Sequence, residues 1–155
     1  MRRALLVALA AVSPLLGGCV LFYLGDGPRS LPEWRAEATV PRTLGCARVT
    51  ARVVQSGKEG VGIVVALEGT GNTCILHISA ATLRVGSVET RAADLPPPPR
   101  LTEGARVEAH LAFRFDADAA WRRGDRHGEL TLRLASGEQV ALPLAAWDED
   151  AEGAP

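Results

Sequence analysis

Through the middle of the chain, apolar residues recur at every second position. Val49, Ala51 and Val53 alternate with Arg48, Thr50 and Arg52, and Val61, Ile63, Val65 and Leu67 form a second row. Leu76 and Ile78 continue after a turn at Gly69-Thr70-Gly71-Asn72. Leu83 and Val85 follow, and Val88 leads a short stretch after Gly86. Val107, Ala109, Leu111, Phe113 and Phe115 alternate with Glu108, His110, Ala112 and Arg114. Leu130, Leu132 and Leu134 alternate with Thr131 and Arg133, and Val140, Leu142 and Leu144 follow Ser136-Gly137. A period of two places one face of a strand inward and the other in water. No part of this stretch carries a sustained helical stripe. Seven or eight short strands with turn signals between them predict an all-β fold, a single antiparallel β-sandwich over residues 46–147.

In size and strand pattern that stretch resembles an immunoglobulin-like domain. It has no Trp between two cysteines, so the resemblance implies a fold and transfers no function. Pro96-Pro97-Pro98-Pro99 lies between two of the strands. Prolines favour an extended polyproline path and cannot donate to a ladder, so a stiff crossover between the sheets is expected there.

Outside the domain the alternation stops. Met1-Arg2-Arg3 precedes an apolar run from Ala4 to Leu16. About a dozen apolar residues fall short of the roughly 20 that span a bilayer, and the basic start suits a secretory signal. The run ends Leu16-Gly17-Gly18-Cys19, which resembles the lipobox of bacterial lipoproteins: an aliphatic residue, two small residues and a cysteine. The resemblance implies a signal peptide over 1–18 and fatty acylation of Cys19, palmitate included. It also implies a membrane-anchored protein of a bacterial cell envelope. Val20 stands where an Asp would retain such a protein at the inner membrane, which points to the outer membrane. The other readings of this segment are a chance cysteine at 19 near an ordinary secretory cleavage site and an uncleaved anchor over Ala4–Leu24. Residues 19–45 show no sustained period and are punctuated by Gly25, Gly27, Pro28, Pro32 and Pro41, so they read as a lipidated N-terminus and tether. Residues 148–155 carry four acids and no base and read as a disordered acidic tail.

Composition narrows the function classes. The chain of 155 residues has 17 Lys+Arg against 18 Asp+Glu, a net charge of −1. Nucleic-acid binding driven by net charge is thereby excluded. A hydrophobic fraction of 47% with only 5% aromatics calls for an aliphatic core. Three cysteines are too few for a disulfide-dense scaffold. With Cys19 lipidated, Cys46 and Cys74 remain in an oxidising compartment. In a three-strand meander, Cys46 would open the first strand and Cys74 the third, at one end of a sheet, so a disulfide is expected. The competing reading, copper held by Cys74, His77 and His110, is disfavoured because residues three apart on one strand face opposite sides.

The segment from Asp116 to Gly128 links two strands through about thirteen residues, where hairpins take two to five. It holds the candidate binding residues Trp121, Arg122, Arg123, Asp125 and His127. Trp121 beside arginines either stacks on a flat ligand or partner, or plugs the end of the sandwich. Asp116, Asp118, Asp125 and His127 lack the spacing of a calcium loop. Ser56, Ser79, Ser87 and Ser136 sit in no nucleophile elbow, and no phosphate or dinucleotide loop occurs. No catalytic residue, metal or cofactor is therefore assigned. The function expected is a lipid-anchored, non-enzymatic binding or structural module, with the membrane and an envelope protein as partners and no nucleic acid. A small-ligand or metal carrier using 116–128 is the alternative, and a hydrolase with an unrecognised site the second.

Overall fold

A computed structural model describes residues 38–145. The signal segment, Cys19, most of the tether and the acidic tail lie outside the described residues. In chain order the elements are β1 (Arg42–Leu44), β2 (Ala47–Ser56), β3 (Val61–Gly69), β4 (Cys74–Ile75) and β5 (Ile78–Val85). They continue with β6 (Val88–Arg91), β7 (Arg100–Leu101), β8 (Arg106–Phe113), α1 (Ala117–Arg122), β9 (His127–Leu134) and β10 (Gln139–Ala145). All strand pairs are antiparallel. One sheet has the order β1-β2-β3-β8, the other β10-β9-β5-β6, and β4 pairs with β7 in a two-stranded ribbon. The fold is an all-β sandwich. Setting aside the two- and three-residue strands β1, β4 and β7, seven strands remain, within the number that the alternation predicts. The likeness to an immunoglobulin domain is one of size and layering. Here β2 and β3 are neighbours in one sheet, whereas the second and third immunoglobulin strands fall in opposite sheets.

The inward rows are those of the sequence pattern. Val49, Ala51, Ile63, Val65, Leu67 and Leu111 of the first sheet bury against Leu83, Val85, Leu130, Leu132 and Leu142 of the second. Phe113 is the largest fully buried side chain, Phe115 is buried beside it in the core, and the other core residues are aliphatic. Among the described residues no polar or charged side chain is buried. The alternation fails in β3, where Val64 and Ala66 are also buried, although they point to the outer face. β3 is a central strand, and the register puts Arg52 and His110 on either side of Val64 and Glu108 beside Ala66. The Arg52 guanidinium reaches Glu108 across β3 at 3.9 Å, so the two side chains cover the apolar pair between them.

Three readings of the sequence need correction. β1 lies within the stretch read as tether, because Leu44 is wholly buried and pins the start of the sheet. Cys74 does not open the third strand of a meander. The second neighbour of β3 is β8, and the chain after β3 crosses to the opposite sheet, pairing on the way as β4 with β7. The segment 116–128, read as one long link between two strands, contains α1, and β9 begins at His127.

The prolines cross between the sheets as expected. Ala92 bridges Phe113, and Ala93 N–H donates to the Ala112 carbonyl (2.9 Å), so the chain leaves β6 at the end of β8. It returns to the start of β8 through Pro96–Pro99, whose last carbonyl accepts from Leu76 N–H (3.0 Å), and then β7. The exposed edge of β8 is thus accompanied by a stretch unable to extend the ladder.

Candidate functional site

The end of the sandwich that carries α1 is built by local rules. Asp116 has extended backbone and its carboxylate accepts from Ala119 N–H at 2.8 Å, an N-cap. Ala117 N–H donates to the Gly57 carbonyl in the β2–β3 turn (3.0 Å), which docks the start of the helix on the first sheet. Ala117 and Ala120, three apart, are its buried face. At the other end Gly124 takes φ +89°. Its N–H donates to Trp121 O (3.0 Å) while Asp125 N–H donates to Ala120 O (3.1 Å), the paired bonds of a Schellman stop. The signals for this helix are present in the sequence: an Asp, then alanines, then a Gly eight residues on.

Trp121 is half-buried and packs against the core on one side. Its other face is covered by the guanidinium of Arg126, 3.7 Å from the ring centroid. The Arg126 Nη1 also donates to the Trp121 carbonyl at 2.7 Å, which holds the stack in place. Arg126 was missing from the sequence-derived set. Its partnership depends on the reversal at Gly124, which no periodicity reveals. Arg122 and Arg123 are exposed at the end of the helix, and Arg123 Nη2 lies 3.4 Å from Asp125 Oδ2. The Asp125 side chain, 26% exposed, is seated over Gly86 in the β5–β6 turn. His127 is exposed and opposite Ala145 in the β9–β10 ladder. Trp121, Arg122, Arg123, Asp125 and His127 therefore do occupy one end of the molecule. The indole faces Arg126 rather than the neighbouring arginines.

The cysteines form a disulfide, Cys46–Cys74, with Cα atoms 6.6 Å apart. Cys46 lies in the β1–β2 turn beside Gly45 (φ +56°). Thr70 donates both its backbone N–H (3.0 Å) and its hydroxyl (3.1 Å) to the Cys46 carbonyl, so the chain leaving β3 is held to that turn. Cys74 is thereby brought back to Cys46 without any meander. A bridged Cys74 offers no thiolate to copper; His77 lies in the connection between β4 and β5, so it shares no strand with Cys74, and His110 stands on β8. Among the described residues, no group of three or more His, Cys, Asp or Glu side chains is placed to hold a metal ion. His110 is opposite Val64 on the outer face of the first sheet, apart from Asp125 and His127. A cavity of about 260 Å³ lies at the β2–β3 turn, on which the start of α1 docks, between Gln55, Glu59, Gly62, Ala93, Ala112 and Arg114.

Chemically, the α1 end offers cationic forked donors beside an indole on a framework fixed at several points. That suits recognition of carboxylates or other anionic groups on a partner surface. No family model, curated protein or solved structure matches the chain.

Proposed function

We propose that this protein is a lipid-anchored, non-enzymatic interaction module of a bacterial cell envelope, and that it engages an envelope partner through the α1 end. The anchoring part rests on Leu16-Gly17-Gly18-Cys19, with acylated Cys19 as the membrane attachment and the outer membrane as its site. One observation carries the binding part: Arg122 and Arg123 project from an element whose two ends are capped and whose Trp121 is clamped by Arg126. Side chains held on a rigid base lose less entropy on binding than the same side chains on a loose loop.

The test has two arms. Cys19→Ala should abolish palmitate labelling and shift the protein from the membrane to the soluble fraction. Persistent labelling and membrane association would refute the anchor. Arg122→Ala with Arg123→Ala should lower cross-linked partner capture from intact envelopes in a salt-dependent way, with the melting temperature unchanged. Capture by the double variant equal to that of the unmodified protein, at low and at high salt, would refute the binding surface.

A further inference from the structure

We infer that the cavity at the β2–β3 turn binds a small zwitterion, a free α-amino acid with an aliphatic side chain. The cavity exists because the outer face of the first sheet is short of side chains at one place. Gly62 of β3 is the register partner of Gln55 in β2 and of Ala112 in β8. Beyond β8 the row continues at Ala93, whose N–H donates to the Ala112 carbonyl at 2.9 Å. Gly62, Ala112 and Ala93 thus make a floor of small residues across the sheet. The next outward residues of β3, Val64 and Ala66, are covered by Arg52 and Glu108 instead. The walls are set by the backbone. The register slips between Val53 and Gln55, a bulge that leaves both Val54 and Gln55 exposed beside Gly62. A Cβ at Gly62 would stand 3.3 Å from Gln55 Cβ and 3.6 Å from Val54 Cγ2, so a methyl group there already fills part of the floor. Gly60 lets the turn close on β8, for a Cβ there would lie 2.7 Å from the Phe113 carbonyl oxygen. That approach brings Glu59 to the same cavity as Arg114. The Arg114 backbone is held in turn, its carbonyl accepting from the Thr90 hydroxyl at 3.2 Å.

Charge and size select the occupant. Among the described residues, Glu59 and Arg114 form no ion pair with each other or with a third group, whereas Glu68, Glu108, Asp125 and Glu129 each face an arginine. A simple anion in the cavity would meet Glu59, and a simple cation would meet Arg114. A molecule that carries an ammonium and a carboxylate together complements both. At roughly 30 Å³ for each water-sized group, 260 Å³ takes about nine non-hydrogen atoms, the size of leucine. A branched aliphatic side chain matches the apolar floor, and the two charged rims fix its orientation. The site does not involve the α1 arginines and does not rest on the partner reading above.

Amide chemical shifts of the isotope-labelled full chain in detergent, followed during titration with L-leucine, test the site directly. Gly62, Ala93 and Ala112 should shift in a saturable way while the amides of β9 and β10 stay in place. Two probes keep the aliphatic body and drop one charge each: 4-methylpentanoate lacks the ammonium and 3-methylbutylamine lacks the carboxylate. Each should bind about three-fold more weakly than leucine, the worth of one exposed ion pair. Arg114→Gln should abolish the difference between leucine and 3-methylbutylamine, and Glu59→Gln the difference between leucine and 4-methylpentanoate. Ala112 is exposed, so Ala112→Leu should fill the cavity and remove the response with the remaining amide spectrum unchanged. No saturable shift at Gly62 and Ala112 up to the solubility of leucine would overturn the inference. So would equal binding of the three probes by the unmodified protein, or discrimination that survives in Arg114→Gln and Glu59→Gln.

Discussion

A side chain at position 86 would meet Asp125. Gly86 has φ +57°, and a Cβ built there lies 2.8 Å from the Asp125 carboxyl carbon. Gly86→Ala is therefore expected to destabilise by about 2–3 kcal/mol, combining left-handed backbone cost with displacement of the carboxylate. With Asp125→Ala alongside, the further loss on changing Gly86 should shrink to about 1–2 kcal/mol, the backbone part alone. Urea denaturation of the four proteins in that cycle measures both. Trp121 makes the complementary case. Because it is half-buried, Trp121→Ala should cost about 2–3 kcal/mol, below the 3–5 of a fully buried ring. Arg126→Ala should cost about 1 kcal/mol, for a guanidinium stacked on an indole. The exposed Arg122→Ala should stay within about 0.5 kcal/mol. Equal losses for all three would contradict the packing described. These contrasts explain what the sequence could disclose about the site. Trp121, Arg122, Arg123, Asp125 and His127 were visible as an unusual cluster of residue types. That Arg126 rather than Arg122 or Arg123 takes the indole follows from the direction of the chain after Gly124.

Among the elements, the ribbon β4–β7 depends most on a single bond. It has two residues in each strand and is tied to the β1–β2 turn through Cys46–Cys74. Closing that 28-residue separation is worth roughly 3–4 kcal/mol from loop entropy. Cys46→Ala with Cys74→Ala should lower the unfolding free energy by about that amount, and the Leu76 amide, bonded to Pro99, should lose hydrogen-exchange protection first. Unchanged protection at Leu76 would show that the prolines alone hold the crossover. The prolines have their own prediction. Replacing Pro97 and Pro98 by Val would place ladder donors and strand formers beside the β8 edge, and light scattering should then show self-association that the native sequence avoids. The long strands were legible because each buries one face against the other sheet, so polarity alternates. β4 and β7 were not, since two residues cannot display a period. α1 was missed for the same reason: six residues with two buried alanines make too short a stripe, although its caps were written in the sequence.

For the molecule as a whole, the sandwich closes through pairings that are far apart in the chain. Val65 pairs with Ala109, 44 positions later (109 − 65), and Leu83 pairs with Leu130, 47 later (130 − 83). Such non-local pairing pays loop entropy before contacts reward it, so refolding with the disulfide intact should take milliseconds to seconds. Stopped-flow fluorescence and far-ultraviolet circular dichroism should give coincident single-exponential traces, since the two sheets share one core. Refolding in microseconds would contradict this topology.

By itself the sequence determined the class of fold, the inward face of every long strand and the aliphatic character of the core. These follow from a period of two and from side-chain volumes, which each strand carries locally. Only the tertiary structure decided which strands are neighbours. The same alternation is satisfied whether β3 meets β4 or β8, and the choice depends on how the chain crosses between sheets. The tertiary structure also decided how Cys46 reaches Cys74, for the bridge joins a turn to a ribbon that no meander would place there. It decided, finally, the state of the α1 end, where a glycine with positive φ turns the chain and lays one arginine over Trp121 while leaving two in solvent. Stacking depends on the path of the backbone in space, and a list of residue types does not contain that path.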